Sequence, residues 1–544
     1  MILSRTLHHL HRTAITLMAG VMVHAGFAQE AAPSAETPAA AGEVSPLGDL
    51  YIREYRVRGS KLLKGVEVEE AVYPYLGPRR TTQDVDKARE ALEKAYHDKG
   101  FQTVSVSIPP QSPLSGIIIL QVDEIKVGKL RVRDAKWFLP SRIARKAPSL
   151  QPGKVPNFND VQKDIIALNK SADLSVTPAL NPGEEPGTVD IDLNVKDSLP
   201  LHGTFELNNR YSANTVPLRL NGSLSYGNLW QLGHTLGFSF QVAPERLSDA
   251  QIYSAFYSVP FGDALTVTLS GTSQDSDVST LGGAAVIGRG QIYGLRASYT
   301  LPAESGFYHT LNVGMDYKHF DENLTLGDTV SSTPIDYYPF TLAYSASWVG
   351  KSSFTELNTS FNMHFRGMGS DVYEFDNKRY NANGSYIYLR SDLTHTHDLA
   401  HGFQVLTKVQ GQIANQPLIN SEQYAGGGQS TVRGYLESAA LGDNGVIGTL
   451  ELRSPSFIGT MDEVTKEWKN EWRVYAFVEG GRLTLNDPLP EQQDRFDLGS
   501  YGIGTRIKLR EHFNGSVDLA FPFASKGSIT DDELFLSFRV WAEF

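Results

Sequence analysis

The sequence has no cysteine in its 544 residues, so it has no disulfide framework, no cysteine-based zinc site and no thiol nucleophile. It also lacks an excess of positive charge, because 49 Lys and Arg stand against 61 Asp and Glu. Without a basic footprint, nucleic acid is not an expected partner. No apolar run beyond the N-terminus has the length of a membrane-spanning helix.

Motifs for catalysis and cofactor binding are missing as well. The sequence has no Gly-x-Ser-x-Gly elbow, no phosphate-binding loop and no HExxH zinc motif, so we expect neither an enzyme nor a bound cofactor. What it does contain is 49 Gly, 26 Phe and 24 Tyr. That composition favours many amphipathic strands over helices.

The first 28 residues predict an export signal. Arg5 and Arg12 provide a positively charged start, and the apolar stretch 14–23 that follows is too short to span a bilayer. Cleavage is predicted after Ala28, where small residues have the required spacing. Residues 29–49 are rich in Ala and Pro and predict a flexible linker.

Residues 50–124 predict a small α+β domain with the order strand, helix, helix, strand, strand. Thr81 and Asp84 form a capping-box pattern at the start of the second helix, and Gly100 can adopt the left-handed conformation that ends it. Strands are predicted over residues 101–108 and 117–122, with a Pro-rich turn between them.

Residues 125–198 repeat this order and predict a second domain of the same architecture, in which Asn159 is the predicted helix N-cap. Two interpretations of the pair remain open. The domains are either structural spacers or docking modules whose edge strands bind an extended peptide. The docking interpretation assigns substrate contact to the first domain, either along the strand that carries Phe101, Val104, Val106 and Ile108 or in a groove beside the second helix.

From residue 199 to 544 the sequence predicts a transmembrane antiparallel β-barrel and shows no convincing helix pattern. Segments of about ten residues alternate apolar and polar side chains, and we count about sixteen of them. Lys408, Gln410 and Gln412 fall on one face of such a segment, opposite Val409 and Ile413. A soluble β-sandwich also alternates, but it does not explain so many strands behind an export signal.

The connections between these segments alternate in length, as they do between the periplasmic and external ends of outer-membrane barrels. The longest connection covers about residues 417–445. Residues 454–470 form a long connection where a short turn is expected, and the sequence offers no physical reason for it.

The final strand ends in an aromatic residue. It looks like the assembly signal of outer-membrane barrels, although an ordinary soluble edge strand is the alternative. The residues that carry this signal are Phe538, Val540 and Phe544.

Three histidines, His395, His397 and His401, cluster near a predicted turn, and the first two share a strand face. They could ligate a metal, but histidines at a barrel rim are the favoured interpretation, so we predict no metal site.

The longest connection contains the tetrapeptide Val432, Arg433, Gly434 and Tyr435 behind a run of three glycines. An external loop arginine is ordinarily solvated. Inside a narrow pore, an arginine is costly unless a carboxylate satisfies its guanidinium group. A later strand offers an acid in an alternating motif made of Phe477, Glu479 and Gly481.

With these two motifs the sequence resembles the two-partner secretion transporters, outer-membrane proteins that export haemolysins and filamentous adhesins. The resemblance covers nearly the whole mature chain and implies two polypeptide-transport-associated (POTRA) domains, 50–124 and 125–198, before a sixteen-stranded barrel. It also implies that Arg433 lies at the tip of a loop folded into the pore and pairs with Glu479. The family usually has aspartate there, so Glu479 is one methylene longer than expected.

The resemblance further implies a pore that captures an unfolded, large β-helical exoprotein in the periplasm, through the exoprotein's N-terminal secretion domain. The other implied partners are periplasmic chaperones, the barrel assembly machinery, outer-membrane lipid and lipopolysaccharide, and a monomer is expected. Well-known members carry a plug helix before the first POTRA domain. Pro33, Pro38 and Pro46 argue against such a helix here.

Two other classes remain open at this point. A barrel insertase usually has more POTRA domains than two. A porin-like structural barrel has no use for a periplasmic duplication.

Overall fold

The structure, a computed structural model, describes residues 50–544 except 113–114, 282–283, 322, 327–328, 333, 460–468, 527–528 and 531–532. The predicted signal peptide with its cleavage after Ala28, the linker and any plug helix lie outside these residues, as does much of connection 454–470. The chain divides into two compact units between Leu199 and Pro200. Within the described residues, no helix combines the length and the apolar character needed to cross a bilayer.

The first part of the N-terminal unit is a three-stranded sheet packed against two helices. The sheet order is β2–β5–β4, and a small pair, β1–β3, lies beside it. The predicted capping box of Thr81 and Asp84 is present, and Gly100 has a φ of +95°. The elements are β1 (Leu50–Ile52), β2 (Glu54–Arg58), α1 (Gly65–Val72), β3 (Gly77–Arg80), α2 (Thr82–Asp98), β4 (Val104–Ser107) and β5 (Ile117–Glu124).

The second part repeats this topology, with the sheet order β6–β8–β7. The predicted N-cap at Asn159 is wrong. The cap is Asn157, whose side chain accepts a hydrogen bond from the Asn159 N–H at 3.0 Å, so the helix begins one residue before Asn159. The elements are β6 (Lys126–Arg133), α3 (Pro140–Arg145), α4 (Phe158–Leu168), β7 (Leu174–Pro182) and β8 (Thr188–Asp197).

The C-terminal unit is a closed antiparallel barrel. Sixteen strands form its wall within the described residues, with β18 and β19 together making one of them, so the sequence prediction is confirmed. The first eight are β9 (Leu201–Asn208), β10 (Arg219–Leu229), β11 (His234–Val242), β12 (Ala250–Phe261), β13 (Leu265–Leu281), β14 (Ala284–Thr300), β15 (Phe307–Asp321), and β18 (Ile335–Tyr337) with β19 (Phe340–Val349). A hairpin of β16 (Asn323–Leu326) and β17 (Thr329–Ser332) precedes β18.

The wall continues to the C-terminus, and a second short pair among the described residues stands apart from it. That pair is β23 (Tyr424–Gly426) with β24 (Ala440–Gly442). The remaining eight wall strands are β20 (Ser353–Met363), β21 (Ile387–Asp398), β22 (Gln404–Ala414), β25 (Asn444–Arg453), β26 (Glu471–Thr484), β27 (Arg495–Leu509), β28 (Phe513–Pro522) and β29 (Phe535–Glu543).

Side chains alternate along the wall strands between an exposed apolar face and a polar inner face. On β22, Val409 and Ile413 are exposed while Gln412 is buried. On β26, Val478 is exposed while its neighbours Phe477 and Glu479 are buried. An apolar outer face around a polar lumen is the pattern of outer-membrane barrels.

Among its described residues the barrel region contains an α-helix that was not predicted from the sequence, α5 (Val372–Lys378). Asp371 caps it, and Glu374 completes a capping box by accepting from the Asp371 N–H at 2.7 Å. Phe375 is buried in an aromatic cluster. The Asp-x-x-Glu spacing was the available signal, but strand alternation on both sides hid so short a helix.

β29 closes the barrel by pairing with β9. Phe544 extends this seam, because its N–H donates to the Gly203 carbonyl and its carbonyl accepts from the Gly203 N–H, both at 3.0 Å. Of the three residues in the predicted assembly signal, Val540 and Phe544 are exposed and Phe538 is half-buried.

Candidate functional site: an arginine buried inside the barrel

The connection between β22 and β25 folds back inside the barrel, and we call residues 415–443 the pore loop. Its stem consists of residues 418–426 and 440–443, which include the β23–β24 pair. Its tip consists of residues 427–439. Gly427 and Gly428 lead from stem to tip with φ of +99° and +96°, a conformation that glycine adopts without strain.

Arg433 lies in the tip and is only 4% exposed. Its Nε and Nη2 donate to Glu479 Oε1 at 3.0 and 2.7 Å, and its backbone N–H donates to Glu479 Oε2 at 2.6 Å. The structure thus brings together the two residues that the motifs singled out. The longer glutamate side chain binds the guanidinium with one oxygen and the loop backbone with the other, so it fixes both charge and chain position.

Two further carboxylates contact the same guanidinium and were missed by the sequence analysis. Arg433 Nη1 lies 3.0 Å from Glu451 Oε2 on β25 and 3.1 Å from Asp518 Oδ1 on β28. Glu451 is also paired with Arg453 and Arg506, at 2.7 and 3.3 Å. Three carboxylates therefore face three arginines in this network of described residues, which keeps the buried charges balanced.

The aromatic residue of the strand motif completes the contact. The Arg433 guanidinium carbon lies 3.5 Å from the centre of the Phe477 ring, which is within the range of a cation–π interaction. Gly481 allows close strand packing, because a Cβ there would lie 2.5 Å from Ile447 Cγ1. In this motif Glu479 supplies the carboxylate, Phe477 supplies the ring that packs against the guanidinium, and Gly481 leaves room for the neighbouring strand.

The other tetrapeptide residues hold the tip against the wall. Val432 is fully buried in an apolar cluster. The Tyr435 hydroxyl lies 3.1 and 2.9 Å from the carbonyl oxygens of Gly499 and Ala524, and its one hydrogen is shared between these two acceptors. Gly434 has a φ of +92°, and a Cβ there would lie 3.3 Å from Ala520 Cβ. Conformation and space therefore both favour glycine at this position.

The predicted docking residues of the first domain have a different arrangement from the one expected. Val104 and Val106 lie on β4, at the edge of the sheet, but their side chains are buried in the domain core. Phe101 and Ile108 are half-buried and lie outside the strand. A bound peptide could therefore pair with the backbone of β4, but it could not contact the buried side chains of Val104 and Val106.

The histidine cluster shows no metal-binding geometry. The rings of His395 and His397 stack with centroids 6.1 Å apart, and His395 Nδ1 bonds the Thr355 hydroxyl at 2.8 Å. Over the part of the chain that the structure describes, no group of three or more His, Cys, Asp or Glu side chains could hold a metal ion.

A closed barrel of sixteen strands, an N-terminal unit with POTRA topology and a loop anchored inside the lumen define an outer-membrane transporter of the POTRA-and-barrel class. The chain belongs to the family described as haemolysin secretion/activation protein ShlB/FhaC/HecB, whose profile matches residues 187–507. A ShlB-type POTRA domain matches residues 50–124. The resemblance drawn from the motifs is confirmed. This is a two-partner secretion transporter of the outer membrane, and in this family the POTRA domains are periplasmic.

Relatives of known identity agree with this assignment. The chain is 22% identical to the outer membrane transporter CdiB of Dickeya dadantii over 519 residues, 91% of this chain and 86% of that protein. It is 19% identical to the heme/hemopexin transporter protein HuxB of Haemophilus influenzae over 391 residues, 70% of this chain and 67% of that protein.

Two solved structures share the fold. CdiB from Escherichia coli matches with a TM-score of 0.60 at 19% identity, over 99% of this chain and 98% of that one. BamA from Haemophilus ducreyi lacking POTRA domains 1–3 matches with a TM-score of 0.56 at 16% identity, over 91% of this chain and 100% of that one.

Proposed function

We propose that the first POTRA domain captures an unfolded exoprotein in the periplasm and that the exoprotein then passes through the barrel once the pore loop moves. The observation that carries this proposal is the buried network around Arg433. This network holds a loop inside the lumen through ion pairs, and the charged groups can form ion pairs with other partners when the loop moves. A permanent plug could instead be held by apolar packing alone.

Strand addition is the proposed mode of capture, at the free edge of β4. The outward-facing Val106 N–H donates to Glu93 Oε2 at 3.3 Å, and the Val104 carbonyl accepts from His97 Nε2 at 3.1 Å. Both partners are side chains of α2 that reach over the strand edge. Side-chain caps of this kind can be displaced by the backbone of an incoming strand, which offers the same donors and acceptors.

The corresponding edge of the second domain is also capped by a side chain and has fewer backbone donors to offer. On β7 the Val176 N–H donates to Asn169 Oδ1 at 2.6 Å, and the Val176 carbonyl accepts from Asn169 Nδ2 at 3.1 Å. Pro178 and Pro182, also on β7, have no N–H to offer. We therefore assign capture to residues 50–124, and assign residues 125–198, by their topology, to a second POTRA domain that positions the first.

Replacing Val106 with proline tests this assignment. Proline removes the outward N–H of β4, so we expect binding of the exoprotein's N-terminal secretion domain to weaken clearly. The matched control is Leu180→Pro on β7, a strand edge that already lacks two backbone donors. This variant should bind the exoprotein's secretion domain with the parental affinity. Binding to purified full-length protein gives the affinity.

Thermal unfolding of both variants checks that each domain is folded, because Val106 contributes to the core. A folded Val106→Pro variant with parental affinity contradicts capture at β4. Weakened binding by Leu180→Pro alone would transfer the site to the second domain.

We also propose that the remaining features follow the family pattern: no catalytic activity, no cofactor, a β-helical exoprotein as cargo, delivery by periplasmic chaperones to the barrel assembly machinery, lipid and lipopolysaccharide around the barrel, and a monomeric pore. Family membership favours this secretion pore over a barrel insertase or a porin. Loss of other barrels on depletion of this protein would instead support an insertase.

A further inference from the structure

A second buried acid, Glu422, fixes the stem of the pore loop to the barrel wall. It is 2% exposed. Oε1 accepts from Lys318 Nζ at 2.6 Å and from the Tyr337 hydroxyl at 2.7 Å, and Oε2 accepts from the Tyr388 hydroxyl at 2.7 Å. Both carboxylate oxygens are thus satisfied by side chains of three wall strands, β15, β18 and β21.

The stem is also tied to itself. Asp443, which ends the pore loop, is fully buried. Its Oδ1 accepts from the Leu418 N–H at 2.9 Å and from Gln423 Nε2 at 3.1 Å, and its Oδ2 accepts from the Asn486 N–H at 2.7 Å. Leu418 itself is buried in the aromatic cluster that surrounds Tyr337. The two ends of the loop therefore form one packed base.

The tip is held elsewhere and by other means. Arg433 binds side chains of strands β25, β26 and β28, whereas Glu422 binds side chains of β15, β18 and β21. Between the two anchors lie Gly427 and Gly428, both in the left-handed region. Glycines can absorb large changes of φ and ψ, so this is the place where the loop can bend while its base stays in position.

We propose that Glu422 is a positioning residue that clamps the stem to β15, β18 and β21, so that only the tip, residues 427–439, leaves the lumen during secretion. The inference deepens the proposed function and rests on it, since it requires the pore loop to move. The cost of the movement is then confined to the contacts of the tip, which are the Arg433 network, the wall contacts of Val432 and Tyr435, and the ion pair of Glu437 with Arg210. The base of the loop returns the tip to the same site after each passage.

Reversible crosslinking tests the clamp, and the cysteine-free chain gives it a clean background. One variant carries Lys318→Cys with Glu422→Cys, which replaces the ionic clamp by a covalent link between stem and wall. The other carries Gln410→Cys with Ser430→Cys, which links tip to wall where Gln410 Nε2 now donates to the Ser430 carbonyl at 3.1 Å. A bifunctional methanethiosulfonate reagent joins each pair through disulfides that a reductant cleaves.

We expect the crosslinked stem variant to secrete as much exoprotein as it does after a reductant has cleaved the crosslink. The crosslinked tip variant should lose secretion until reductant is added. The four single-cysteine proteins, treated with the same reagent, are the controls. Loss of secretion on crosslinking the stem overturns the clamp, because the whole loop must then leave. Undiminished secretion with the tip crosslinked overturns the moving loop, and with it the proposed function.

Amide hydrogen exchange on the unmodified protein provides a second measurement that needs no variant to fold. With exoprotein stalled in the barrel, amides of the tip should lose protection while those of residues 418–426 keep it. Equal loss in both segments overturns the clamp, and no change in either overturns movement of the loop.

Discussion

Replacing Arg433 with alanine is expected to reduce secretion to background while part of the protein still reaches the outer membrane as a folded barrel. The variant leaves Glu479, Glu451 and Asp518 buried with only two of the three arginines that balance them. Breaking a buried ion pair by removing one partner costs about 3–5 kcal/mol in soluble proteins. That is enough to free the tip from its place on the wall, whereas the wall itself keeps its strand pairings.

Secretion is measured as exoprotein in the medium, and assembly by the heat-modifiable migration of the surface-exposed barrel. Arg482→Ala is the matched control, because this arginine lies on β26 beside the motif but forms an exposed pair with Asp497 at 2.6 Å. It should secrete normally. Arg433→Lys should restore secretion only in part, since an ammonium keeps the charge but not the forked geometry. Normal secretion by Arg433→Ala at normal surface levels contradicts the role assigned to this residue.

The sequence predicted the pair of Arg433 and Glu479 because both belong to short motifs that can be read locally. It could not predict Asp518, 85 positions from Arg433, or Glu451. These carboxylates meet the guanidinium only because the barrel closes with a particular register between β25, β26, β27 and β28. Alternation says that a side chain faces the lumen, but not which other side chains it meets there.

The same limit explains the stem clamp. Glu422 is one of three acids in the long connection. Its partners come from strands about 30 to 100 positions away, for example Tyr388 and Lys318. In the N-terminal unit, by contrast, the capping box of Thr81 was predicted correctly because its partner lies three residues on. The strand predicted over residues 101–108 is present as the shorter β4, and the burial of Val104 and Val106 depends on packing against α2, which the pattern alone does not give.

Deleting Phe544 is expected to lower sharply the amount of folded barrel in the outer membrane, more than any single exposed substitution on the wall. Five residue pairs join β29 to β9, whereas eight join β28 to β29. Phe544 adds a further pair at Gly203 through two backbone hydrogen bonds. A barrel has no free edges only while its seam is closed, so a shorter seam exposes two unpaired strand edges to the assembly pathway.

The side chain of Phe544 also has a fitted place on the neighbouring strand. A Cβ on Gly203 would lie 2.4 Å from the Phe544 ring, so the ring covers the glycine directly. Gly203→Leu should therefore lower the folded fraction much as the deletion does, although it leaves the terminal residue intact. The control is Phe261→Ala, a similarly exposed phenylalanine at the end of β12 that takes no part in the seam. If deletion of Phe544 halts assembly while Gly203→Leu assembles fully, Phe544 acts as a recognition signal before folding, because a role in closing the seam requires both variants to fail.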